Sequence, residues 1–283
     1  MTGDRGPSPP EPDDLVSTEV DVEAPQAARR YDYWLGGKDN FAADRRSGNE
    51  LKGAFPAIEV AVRENRAFLR RAVHFLAADR GIRQYLDIGV GMPAAPNVHE
   101  VVQAVHPGAR VVYVDHDPVV AVHARALLTG TDRSVRVFVP GDVRRPQAIL
   151  DNPDLRATLR RDEPVGLLLV AVLHFVVDDD TAYAAVRRLV AALPPGSHVV
   201  VSHASFDALA PDVAAKLTAM SVSDAGHGPF RARSAAGIRR FLEGLEVLAP
   251  GLVPVVDWFP EREPRPEATA AEAVAYGAVA RVP

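Results

Sequence analysis

Cysteine is absent from the chain. That rules out disulfides and thiolate metal sites, and it fits a reducing, cytoplasmic setting. No apolar run approaches the roughly 18–20 residues that a membrane span needs. The amino terminus lacks the basic-then-apolar order of a secretory signal. An excess of positive charge is also missing. Lys and Arg number 32 against 37 Asp and Glu, so the net charge is −5 and the electrostatic case for nucleic acid is weak. The nine histidines are scattered without ligand spacing, and no metal site is expected. Aromatic residues make up only 6%, so any local concentration of them carries information.

Residues 1–26 hold five prolines among seven acidic residues. Such a segment buries too little apolar surface to offset its ordering entropy, and a disordered tail is expected. A single domain is expected over 27–283, with an arm at 27–80 and a core at 81–283. The arm opens A-A-R-R-Y-D-Y-W-L-G-G-K-D-N-F, with Tyr31, Tyr33, Trp34 and Phe41 set around Gly36-Gly37. Rings and donors around a double glycine read as a lid in which Tyr31, Tyr33 and Lys38 close a site, with Lys38 meeting a ligand carboxylate. Apolar residues then recur at helical spacing from Ala57 to Ala78. Asn65 falls on that apolar stripe beside Arg66, where a buried amide either caps a loop or faces a ligand.

The core is organised around Q-Y-L-D-I-G-V-G-M-P-A-A-P-N-V-H-E, residues 84–100: a buried strand, a glycine loop and a helix capped at Asn97. Further strands are predicted at Val111–Asp115, Val135–Val139, Gly166–Val172 and His198–Ser202, each alternating with a helix. Two closing strands are read at Leu245–Val256 and Ala273–Val282. This pattern specifies a doubly wound, largely parallel α/β sheet with an antiparallel strand at one edge. Its connections place Gly89, Gly91, Asp115, Asp142 and His174 on one rim. Asp224–Pro229 reads as a mobile loop, and Arg231, Arg233, Arg239 and Arg240 as a solvated face.

Gly89-x-Gly91-x-x-Ala94 formally satisfies a dinucleotide fingerprint, so a nicotinamide-dependent oxidoreductase is one reading. Pro93 and Pro96 oppose it, because they break a helix starting directly after the second glycine. Asp115 follows Gly89 by 115 − 89 = 26 positions, beyond the usual ~20. Asp87 also places an acid inside the strand. A phosphate-free ligand with a ribose, an adenine and an ammonium group suits these residues better. Asp115 would accept from ribose hydroxyls, Asp142 from an exocyclic amine, and Asp87 would face positive charge. S-adenosylmethionine is such a ligand.

Four stretches carry a resemblance: D-I-G-V-G-M-P-x-x-x-N-V-H-E, V-Y-V-D-x-D-P, L-L-L-V-A-V-L-H-F-V and R-Y-D-Y-W-L-G-G-K-D-N-F-A-A-D-R. Together they resemble the actinobacterial S-adenosylmethionine-dependent methyltransferase family, within the class I superfamily, from about Ala27 to Pro283. The resemblance implies a Rossmann-like, seven-stranded fold with S-adenosylmethionine held at Asp87, Gly89, Gly91, Asp115 and Asp142. The third loop glycine of class I enzymes is absent, with Pro93 and Ala94 in its neighbourhood. Asn97, His116 and Val143 complete the expected cofactor set at the strand ends, and Tyr31, Tyr33, Lys38 and Asn65 complete it from the arm and long helix. His174 is the candidate for acceptor contact or proton removal, against simple packing beneath the arm, and His203 is a second choice. The acceptor is expected to be a small molecule, with no nucleic-acid or membrane partner and homo-oligomerisation left open. A sensor that binds S-adenosylmethionine without turnover is the alternative.

Overall fold

The computed structural model describes residues 20–127, 135–222, 226–263 and 267–283. Five parallel strands form its centre: β1 (Gln84–Ile88), β2 (Arg110–Asp115), β3 (Val135–Pro140), β4 (Gly166–Val170) and β5 (His198–Ala204). Three more follow, β6 (Glu246–Val247), β7 (Val253–Pro254) and β8 (Ala275–Arg281), and the order across the sheet is β3-β2-β1-β4-β5-β8-β6. β8 runs antiparallel to β5, and both β6 and β7 pair with its other side. This is the Rossmann-like, mostly parallel sheet expected, with the antiparallel strand at the predicted end.

The strand read over 245–256 is interrupted. β6 ends with Val247 opposite Ala280, and β7 resumes with Val253 opposite Gly277. The bulging residues between them include Pro250, which has no N–H to give a ladder, and Gly251 at φ 99°.

Strand side chains alternate between two apolar layers. Tyr85, Leu168 and Val200 pack with α3 (Ile58–Ala78), α4 (Val98–Val105) and α5 (Pro118–Leu127). Leu86, Leu167 and Val199 pack with α6 (Pro146–Asp151), α7 (Pro153–Thr158) and α8 (Asp179–Val190). This period of two puts Asp87 and Ser202 on the α3 side, beneath Asn65. α4 begins at the expected capping box, where Glu100 accepts the Asn97 backbone N–H.

The arm forms two helices, α1 (Ala27–Trp34) and α2 (Ala42–Ala54). Of the tail expected over 1–26, residues 1–19 lie outside the described residues, and residues 20–26 are tied to the arm. Arg29 donates to the carbonyls of Asp21 and Ala24, and its Nε lies 3.2 Å from the Asp44 carboxylate in a wholly buried ion pair. Asp44 also accepts the backbone N–H groups of Gln26 and Phe41, so the residues leading into α1 and into α2 converge on one carboxylate. Among the described residues no helix is long and apolar enough to cross a membrane, and no group of three or more His, Asp or Glu is arranged to hold a metal ion.

Candidate active site

A cavity of about 200 Å³ opens at the carboxyl ends of β1 to β4, roofed by the start of α1. Nine of the twelve expected cofactor residues line it: Asp87, Gly89, Gly91, Asp115, His116, Asp142, Val143, Tyr31 and Asn65. Gly89 (φ 77°) and Gly91 (φ 65°) are both left-handed. At Gly89 no side chain fits, since a Cβ would stand 2.3 Å from Val172 Cγ2.

Asp115 fixes this loop. Its Oδ2 accepts the Gly91 N–H at 2.8 Å and its Oδ1 the Asp117 N–H at 3.0 Å, and each oxygen keeps a lone pair for a ligand. Burial raises its pKa against the lowering effect of those two bonds. Asp87 is 5% exposed, and burial, countered by Arg66 and reinforced by Asp115, pushes its carboxyl up to about 7. Arg66 itself donates to the Ala94 and Pro96 carbonyls, which holds the proline-rich end of the loop. At Asp142 burial pulls the pKa upward, but side-chain and backbone bonds from Arg144 outweigh it and hold the group below its ordinary value.

The other three expected cofactor residues lie outside the cavity. Asn97 is spent on the α4 cap. Tyr33 donates to Asn49 Oδ1 on α2 at 2.8 Å, and Trp34 Nε1 to the Gly48 carbonyl at 3.2 Å, so these rings fasten α1 to α2. Lys38 is exposed on the turn that Asp32 organises by accepting from Asp39 N and Asn40 Nδ2. The turn folds back on Asp32 instead of reaching over the site, which takes Lys38 away from it.

Tyr31 and Asn65 belong to a relay that joins arm, long helix and sheet. Ala171 N–H donates to Ser202 Oγ, Ser202 to Asn65 Oδ1 at 2.5 Å, Asn65 Nδ2 to Tyr31 Oη at 3.0 Å, and Tyr31 to the Val62 carbonyl at 2.9 Å. Ala171 follows β4 with φ 54°, a strained value for alanine at a point that lines two cavities.

The second cavity, about 160 Å³, shares Arg30, Tyr31, Asn65, Ala171, Phe175 and His227 with the first. It is apolar and aromatic, with Trp34, Phe55, Phe206 and Phe230 in its wall, and Leu217 and Met220 from α9 (Pro211–Val222). His174 stands here, on a 3-10 turn after β4, packed against Phe175, Phe230 and His203. Its Nδ1 accepts the Ala204 N–H at 3.4 Å, which leaves the proton on Nε2, and burial holds its pKa well below the ordinary value. His203 has both nitrogens engaged: Nδ1 donates to the Ala204 carbonyl and Nε2 accepts from Arg233. Burial lowers it to about 3. Arg233 is thus not on the solvated face expected of the arginine cluster; it is buried on Asp179 and the carbonyls of Leu173 and Val176.

Arg30 and His227 escaped the sequence reading. Arg30 adjoins Tyr31 in the arm motif, and that proximity was the available signal. His227 lies in the loop expected over 224–229, whose residues 224 and 225 fall outside the described residues. It is buried, with Nδ1 2.8 Å from Ser47 Oγ, 180 positions away.

The sequence matches the S-adenosyl methyltransferase family over residues 13–283. The fold is similar to a DUF574 family protein from Streptomyces avermitilis at 41% identity and TM-score 0.88, covering 94% of this chain and 100% of that one. It is also similar to a putative methyltransferase from Thermobifida fusca at 36% identity and TM-score 0.84, covering 93% and 96%. No curated protein matches the sequence. The family match spans nearly the whole chain and includes every residue of both cavities. The chain therefore belongs to the S-adenosyl methyltransferase family and is an S-adenosylmethionine-dependent methyltransferase of Rossmann-like fold.

Proposed function

We propose that the first cavity holds S-adenosylmethionine and that the second admits a small apolar acceptor. The observation that carries this reading is the junction of the two cavities at Tyr31, Asn65 and Ala171. An acid-lined chamber and an apolar one meet there, as methyl transfer between two ligands requires.

The donor set suits the cofactor. Asp115 retains lone pairs for the ribose hydroxyls, and Asp142 offers a carboxylate oxygen to the adenine amine. The buried Asp87, which has no hydrogen-bond partner for its side chain among the described residues, faces the ammonium and sulfonium end. Val143 and Val172 provide apolar contact. When bound, S-adenosylmethionine supplies a methyl group already activated on sulfonium. The protein's own work is alignment and exclusion of water. The Ala171–Ser202–Asn65–Tyr31 relay fixes the partition between the cavities, and the arm helices close over it. His174 contributes an Nε2–H donor to the acceptor, and its position after β4 favours this role over His203, whose nitrogens are both occupied.

Calorimetry with S-adenosylhomocysteine tests the first half of the proposal, with micromolar binding expected. Labelled-methyl incorporation across a set of small aromatic acceptors tests the second. Binding of S-adenosylhomocysteine with label transferred only to protein or RNA would sink the small-molecule assignment.

A further inference from the structure

Arg30 is 6% exposed, yet among the described residues it has almost nothing to neutralise it. Its hydrogen bond to Ser47 is a long one, 3.4 Å from Nη1 to Oγ, and its Nε has no partner among the described residues. The neighbouring carboxylate, Asp44, is taken up by Arg29 and two backbone N–H groups. Burial lowers Arg30 to about 10, against the raising pull of Asp44, so the group is still a cation at neutral pH. A buried, poorly compensated guanidinium is costly unless an anion completes it. Arg30 lines the second cavity, and no Asp, Glu or Lys stands among the described residues that line it with Arg30.

The other polar groups in that wall point the same way. His174 presents Nε2–H, Tyr31 Oη already bonds Val62 and Asn65, and both nitrogens of His203 are occupied. His227 bonds Ser47 through Nδ1 and has Glu50 3.5 Å from Nε2. Among the described residues the wall therefore offers a cation and a donor but no free base. Such a wall suits an acceptor that binds already ionised, with no proton to lose to the protein.

We propose that the second cavity takes a planar, apolar acceptor bearing an anionic oxygen group, held by Arg30 with His174 as the second donor. This rests on the two-chamber reading above. The guanidinium fork matches a carboxylate or phenolate oxygen, and the aromatic wall matches a flat hydrocarbon body.

The test is calorimetry on the full chain with three probes: S-adenosylhomocysteine, and then, with that ligand saturating, naphthalene-2-carboxylate and its neutral amide. Wild type is expected to bind the carboxylate at least about tenfold tighter than the amide, the size of one charged hydrogen bond. Arg30→Gln should erase that preference and leave S-adenosylhomocysteine affinity within about threefold, while Arg30→Lys retains part of the preference. Equal binding of carboxylate and amide to wild type overturns the proposal, and this comparison needs no variant to fold. A loss confined to S-adenosylhomocysteine in Arg30→Gln also overturns it, since Arg30 would then serve the cofactor. If S-adenosylhomocysteine binds and naphthalene-2-carboxylate does not, the anionic acceptor fails and the two-chamber reading stands. If S-adenosylhomocysteine itself does not bind, that reading falls first.

Discussion

The two cavities share a wall at Arg30, Tyr31, Asn65 and Ala171, but they are built from different kinds of sequence. The first is a rim of strand ends, and each key residue arrives within an apolar run or one to three residues after it: Asp87, Gly89, Gly91, Asp115, Asp142. The second is an assembly of distant pieces, α1, α2, α3, β5, α9 and the residues just before β8. Their charges differ as well. Asp87 and Asp115, held above their ordinary pKa, line the first, and His174 and His203, held below theirs, line the second, although burial is the leading cause in both. Desolvation opposes whichever form is charged, so one physical effect drives the two chambers in opposite directions with pH.

The contrast between the chambers should be most visible at Asp115. Asp115→Ala removes the acceptor that fixes Gly91 and Asp117 and the partner expected for the ribose. S-adenosylhomocysteine affinity should fall by about 100-fold, a charged-acceptor loss with the loop's own anchor added. Unchanged affinity by calorimetry would remove the ribose assignment.

Next come the two glycines, which the sequence presents as equivalent. Gly89→Ala drives a Cβ to 2.3 Å from Val172 and should cost about 2–4 kcal/mol in denaturant unfolding. Gly91→Ala meets only Ala28 Cβ at 4.0 Å and should cost about 1–2 kcal/mol, the left-handed penalty alone. Equal costs would mean that Val172 yields.

The opposite pH signs can be separated by two variants. Asp87 rises from 3.8 to about 7 on folding, so its contribution to stability is full below pH 3.8 and is lost as pH rises through about 7. His203 falls from 6.5 to about 3, so its contribution is full above pH 6.5 and is lost as pH drops through about 3. Across pH 4–6.5, thermal melting of Asp87→Asn should therefore rise more steeply with pH than wild type, and that of His203→Gln less steeply. Each difference should amount to a few kcal/mol at most. Parallel melting curves would mean that neither group titrates as its burial implies.

The smallest effect is expected at Lys38. Exposed and outside both cavities, Lys38→Ala should shift S-adenosylhomocysteine affinity by no more than about twofold. A larger loss would show that the arm closes further over the ligand than its resting position.

Lys38 also shows why part of the site was illegible. A lysine after a double glycine in an aromatic cluster has the composition of a lid, but Asp32 bends that turn away, and only the folded chain brings Asp39 and Asn40 to Asp32. Tyr33 and Trp34 look no different from Tyr31 in sequence; helix geometry turns Tyr31 toward Val62 and Asn65 and the other two toward α2. The strand read over 245–256 failed at Pro250-Gly251, a pair that local punctuation rules do flag.

Local pattern along the chain was enough to set the alternation of strands and helices, the glycine loop and the acids at the ends of β1, β2 and β3. These are properties of neighbouring residues, governed by apolar period, turn chemistry and the right-handed crossover. Packing was needed for Asn65 to meet Ser202, 137 positions away, and for His227 to meet Ser47. Packing also left Arg30 buried without a carboxylate of its own among the described residues. Burial and pairing depend on which surfaces are brought together, and no local pattern encodes that. The first chamber is written along the chain, whereas the second exists only once the arm, the long helix and the far end of the sheet have packed.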